Sequence, residues 1–184
     1  MNRSLLALSF LAAVPTAALA AESGTAVFTA STSGAPFNYT GVLNNTSTDA
    51  STIGTLWFSW VPGEDFLPTS PTNITSPTGW QDVITHGGPT DGFAIQWTAK
   101  TPAADLAAGS SLSGFGFTSA DTPPQLQGSS PFFPGTPVGT SFLYTSAPFS
   151  DGGTKIIAST VVAPEPASLG ALTLGGLLLL RRRR

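Results

Sequence analysis

Cysteine is absent from this chain of 184 residues, histidine and methionine occur once each, and lysine and arginine together number only 7. Without cysteine there is no disulfide framework, no thiolate zinc site and no thiol nucleophile. A single histidine excludes a multi-histidine metal centre. Charged residues make up 9% of the sequence, against roughly 25% in an ordinary soluble domain. Five of the 7 sit at the ends, at Arg3 and at Arg181 to Arg184. Between residues 21 and 163, Lys100 and Lys155 face nine acids, so that stretch carries a net charge of −7. Such a surface repels phosphate backbones and excludes nucleic acid as a partner. No Gly-x-Ser-x-Gly occurs, so there is no nucleophile elbow, and no internal repeat is visible. What is present is 20 Gly and 16 Pro, punctuating a chain that is 41% hydrophobic with 12 Phe and 4 Trp. That is enough apolar material for one core, and the length of the middle stretch argues for one domain.

The two ends read as addresses. Arg3, the apolar run from Leu5 to Val14, and the small residues Ala18 and Ala20 before Ala21 have the layout of a secretory signal over residues 1–20, cleaved before Ala21. At the other end Ser168 to Leu180 is apolar without a break, and Arg181, Arg182, Arg183 and Arg184 follow at once. Thirteen helical residues span only about 20 Å against a hydrocarbon core of about 30 Å, so crossing needs help from flanking residues. Positive flanks stay cytoplasmic, which leaves the rest of the protein outside. Pro164-Glu165-Pro166 stands just before the apolar run, extended because proline keeps helix from propagating through it.

In that order, Pro164-Glu165-Pro166, short apolar helix and arginine cluster, residues 164–184 resemble the PEP-CTERM sorting signal of exported bacterial proteins. Ala163 stands where the common form has valine. The resemblance implies recognition of Pro164, Glu165 and Pro166 by a membrane-embedded exosortase, with Arg181–Arg184 as the membrane stop. It further implies transient insertion in the inner membrane, a cell-surface or extracellular destination, and a Gram-negative producer of extracellular polysaccharide.

The middle, residues 21–163, holds seven short runs of period two: 25–29, 37–43, 55–61, 93–98, 112–118, 141–145 and 156–162. These predict an all-β domain, a single antiparallel β-sandwich of Ig-like or jelly-roll type, between an N-terminal signal helix and a short C-terminal transmembrane helix. Alternation over 55–61 puts Leu56, Phe58 and Trp60 on one face and Trp57 on the other. Thr101, Pro102 and Gly109 frame one helical turn over 103–108. Residues 62–78 and 123–138 read as long proline-rich loops.

Candidate sites are few. His86 is a catalytic base only if Asp82 or Asp91 lies within about 3 Å of it; otherwise it is a loop residue, and no catalytic residue is assigned. Glu64 and Asp65, adjacent in an extended segment, point opposite ways and so cannot be a glycosidase pair. Either suits Ca²⁺, the one cofactor the acidic loops leave room for. Trp80, followed by Gln81 and Asp82, is the best placed tryptophan for a sugar contact, with its ring stacking and its neighbours hydrogen-bonding hydroxyls. The plainer reading has Trp80 closing the edge of the sandwich. The expected function is thus an exported, non-enzymatic surface or matrix protein. Its partners are signal peptidase and exosortase during export, with extracellular polysaccharide implied by the resemblance. The alternative is a carbohydrate-binding module built on Trp80 and the acidic loops.

Overall fold

The computed structural model describes residues 22–31 and 34–163. The expected signal peptide, with Ala18, Ala20 and Ala21, and the expected sorting signal, with Pro164, Glu165, Pro166 and Arg181–Arg184, lie outside the described residues. Among the described residues no helix is long and apolar enough to cross a membrane.

The domain is mostly β. Twelve strands follow one another: β1 (Gly24–Ala30), β2 (Phe37–Asn45), β3 (Thr55–Phe58), β4 (Trp60–Val61), β5 (Glu64–Asp65), β6 (Thr72–Thr75), β7 (Trp80–Thr85), β8 (Ala94–Ala99), β9 (Ser111–Ser119), β10 (Thr140–Tyr144), β11 (Thr154–Ile157) and β12 (Ser159–Val162). They form a first sheet in the order β12-β1-β2-β9-β6, a second in the order β11-β10-β3-β8-β7, and a small β4-β5 hairpin. Neither large sheet closes into a barrel.

Phenylalanine and tryptophan at alternate positions explain why the two sheets face each other. Phe28 of β1 lies 4.5 Å from Phe58 of β3 and 5.9 Å from Trp97 of β8, while Trp97 and Trp80 each meet the ring of Phe115 from β9 edge-on. Tyr39 stacks on Phe117 and sends its hydroxyl to the carbonyl of Asp121, 2.6 Å away. These pairs join both sheets into one core. Tyr39 and Leu43 of β2, Leu56 and Phe58 of β3, and Ile95 and Trp97 of β8 are all buried in this core.

The structure departs from the expectation in five places. Residues 62–78 are not one loop, since β5 and β6 lie within them, and β7 forms where no run of period two marks a strand. The run 156–162 is two strands: after Ile157 the chain crosses at Ala158 and joins the other sheet, where β12 runs parallel to β1. The sheets are therefore antiparallel except along this one edge. The crossing is tight, with the Ala158 amide donating to Gly139 O at 2.8 Å, and a Cβ on Gly139 would collide with the Ala158 carbonyl.

The fourth departure is the helical turn, which shrinks to a 3₁₀ turn, Pro102–Ala104, because Leu106 is drawn into a β-bridge with Ile53. Fifth, a short helix α1 (Pro123–Gln127) stands where a loop was expected. Thr122 caps it, accepting from the Gln125 amide while the Gln125 side chain accepts from the Thr122 amide, and proline opens the first turn. From this helix Gln127 reaches over to donate to Thr160 O of β12 at 2.6 Å. The helix thus covers part of the free edge of the first sheet, a common defence against edge-to-edge aggregation.

Candidate functional site

Trp80 is not a surface ring. It is 2% exposed, its indole N–H donates to Ala104 O at 2.9 Å, and its ring packs edge-on against Phe115. The exposure that a sugar contact at Trp80 requires is missing, because β7 begins here with its first residue facing inward; the plainer reading of Trp80 as an enclosed residue fits its burial. Gln81 and Asp82 are exposed, and Ser76 donates to Asp82 at 2.5 Å. Trp80 therefore supplies no stacking ring beside these two.

Trp57 and Trp60 depart from strict alternation. They lie on the same side of the second sheet, stacked 3.6 Å apart with only 2° between their planes. Strict alternation would separate them. Ser59 breaks it: its φ of 62° is left-handed, which ends β3 and turns the chain so that Trp60 folds back over Trp57. Ser141 Oγ accepts from the Ser59 amide at 3.1 Å and the Ser59 carbonyl accepts from the Phe66 amide, which together hold the kink.

Phe142 and Tyr144 of β10 extend this outer cluster. Phe149 lies across it edge-on, 5.8 Å from each indole and 63% exposed. At 7% and 4% exposure Trp57 and Trp60 are interior groups of a second, smaller core on the outside of the sheet. Sheet and hairpin are held together there.

A polar chain leaves this cluster. Trp57 Nε1 donates to Thr85 Oγ1 at 3.2 Å, and that hydroxyl donates to Asp65 Oδ1 at 2.7 Å. The Asp65 amide in turn donates to Asp91 Oδ1 at 2.8 Å, which also accepts from the Gly92 amide. Glu64, on the opposite side of β5, lines a surface depression of about 330 Å³ with Asp91, Thr90 and Phe133. Asp65 and Asp91 come together, but among the described residues no three His, Cys, Asp or Glu side chains converge as a metal would require. Both carboxylates find their partners within the protein. A Ca²⁺ at Glu64 or Asp65 finds no set of three acidic side chains here among the described residues.

His86 is paired with neither aspartate. Its Nδ1–H donates to Gly92 O at 2.6 Å, and its ring stacks on Phe93. That bond fixes the loop preceding β8 and leaves no acid to orient the ring for base catalysis.

Burial raises the pKa of Asp65 above its ordinary value of 3.8; the Thr85 hydroxyl opposes that, and neighbouring Asp91 adds to it. Glu22 is raised by the same desolvation, to which the charge of Asp151 adds. For Asp151 burial acts upward too, but donors from Thr145, Gly153 and Ser150 outweigh it and hold the group low. A carboxyl whose folded pKa is raised binds its proton more readily in the folded than in the unfolded state. Its contribution to stability therefore falls as pH rises from 3.8 through the raised folded value. Asp65→Asn removes that charge, keeps an oxygen for Thr85 and offers an N–H to Asp91. We expect thermal melts to show a higher Tm at pH 7 and a smaller change between pH 4 and pH 7 than in the parent. A lower Tm at pH 7 would mean that the Asp65 charge stabilises the fold.

One further arrangement concerns charge. The strands of the first sheet contain no acid, lysine, arginine or histidine, so every charged side chain between residues 22 and 163 lies elsewhere. Its outer face carries hydroxyls and amides joined in rows across strands. Ser111 Oγ donates to Asn44 Oδ1 at 2.6 Å, and Asn44 Nδ2 donates to Thr25 Oγ1 at 3.2 Å. In a second row Asn73 Nδ2 reaches Thr118 Oγ1, which donates to Asn38 Oδ1 at 2.8 Å. Between the rows, Thr40 pairs with Thr29 and Val42 with Val27.

Compared with known proteins, the chain matches no family model, no curated protein and no solved structure.

Proposed function

We propose that this protein is an exported, exosortase-sorted component of the cell surface or extracellular matrix, with a non-enzymatic, interaction-type role among extracellular polysaccharide. In this reading the two facing sheets are a β-sandwich of the Ig-like or jelly-roll group. The chain's repeated passage between the two sheets supports that type. Residues 1–20 direct export through signal peptidase, and residues 164–184 hold the protein in the inner membrane until exosortase acts at Pro164-Glu165-Pro166.

The observation that carries the reading is the position of β12, the strand that precedes Pro164 in the chain. β12 lies on the outermost position of its sheet, Val161 and Val162 are exposed, and among the described residues the chain's final backbone bond is Ala163 N–H to Ala30 O at 3.1 Å. The Pro-Glu-Pro segment comes next in the sequence, after this edge strand. Intact-mass measurement of the surface form is expected to give a carboxyl end within residues 164–166. A surface product that still carries Arg184 would overturn the sorting reading.

A further inference from the structure

We infer that the outer face of the first sheet is a binding surface for a neutral polysaccharide. This reaches past the destination proposed above, because it names a site and the chemical class that fits it.

The argument begins with charge. A domain of net −7 that keeps one entire sheet free of ionisable groups, apart from the buried Tyr39, has placed all its repulsion elsewhere. Anionic glycans and phospholipid surfaces meet that −7 with no basic group on this face to offset it. A neutral chain pays no such penalty and is indifferent to salt. The functional groups fit as well. Threonine, serine and asparagine each offer both a donor and an acceptor, as sugar hydroxyls do, and here they are already aligned by bonds across strands. Fixing them in rows reduces the side-chain entropy lost when a ligand docks. Thr40 and Val42, both exposed at the centre, alternate hydroxyl and methyl in the way a sugar ring alternates hydroxyl and C–H.

Size separates this occupant from a second copy of the chain. With strands about 4.8 Å apart and about 3.4 Å per residue, the face measures about 20 by 25 Å, or about 500 Å². A stable protein pair needs about 800 Å² on each partner. An extended glycan needs only a strip of such a surface.

Retention of the full chain on films of cellulose, curdlan and dextran, with alginate as the polyanionic counterpart, tests the inference. We expect retention on at least one of the three neutral glucans, unchanged between low salt and 1 M NaCl, and none on alginate. Thr40→Glu and Val42→Glu should each weaken it at least tenfold. Val83→Glu, on the exterior of the other sheet, should leave it as in the parent, and an unaltered Tm in each variant shows that the fold is intact. Three results would overturn the inference: no retention on any neutral glucan, retention undiminished in both central variants, or concentration-dependent dimerisation in sedimentation that the same two variants abolish. The mass of the surface form is read separately, so failure here leaves the sorting reading standing.

Discussion

Trp80→Ala is expected to cost about 3–5 kcal/mol, the range for deleting a large buried aromatic. The indole is almost wholly enclosed, sits against Phe115 and satisfies Ala104 O. Truncation opens a cavity between the sheets and leaves that carbonyl without its donor. A domain of this size has only about 5–15 kcal/mol in all, so the variant should unfold at a far lower urea concentration, with the slope of the transition little changed. Urea titration followed by tryptophan fluorescence measures this directly. The result discriminates between readings of the protein. A surface sugar platform at Trp80 predicts lost binding at unchanged stability, whereas a closing residue of the core predicts the reverse. Unchanged stability would return Trp80 to the surface and contradict the placement of β7.

Trp57→Ala should produce a loss of the same order, about 3–5 kcal/mol, although the residue lies on the outside of its sheet. The stacked partner Trp60 loses its contact face, and Thr85 loses the indole donor. Because the two rings act on each other, the losses should not add. A double-mutant cycle with Trp60→Ala is expected to return a coupling of about 0.5–1.5 kcal/mol beyond area burial. A coupling near zero would mean that each indole is held by its own surroundings, Thr85 for one and Phe142 for the other. Retained stability in both single variants would show that the outer cluster is dispensable and free to serve as a ligand surface.

Much of the fold was legible in the sequence because period-two patterning acts locally. β2, β8 and β9 present Tyr39, Trp97 and Phe117 inward as alternation requires, and the core follows from those phases. The capping box of α1 was equally legible in Thr122-Pro123-Pro124-Gln125, but it stood inside a proline-rich stretch that reads as loop. β6 and β7 were harder. Their residues are mostly exposed, so no apolar rhythm marks them, and they are strands because a neighbour supplies the ladder.

The candidate sites followed the same division. The separate roles of Glu64 and Asp65 could be read from adjacency alone. The meeting of Asp65 with Asp91 depends on bringing together residues 26 positions apart in the chain. His86 gave a chemical type but no partner, and its partner proved to be a backbone carbonyl.

By itself, then, the sequence determined what composition and short-range order control: no thiol chemistry, an acidic middle domain, β-rich patterning, and end segments that resemble export and sorting signals. The tertiary structure alone decided which surfaces those strands turn outward. A single left-handed residue, Ser59, placed Trp60 over Trp57, and serine carries no marker for that conformation in one dimension. The charge-free sheet was likewise invisible along the chain, because its five strands are spread from residue 24 to residue 162 and only their pairing assembles them into one face.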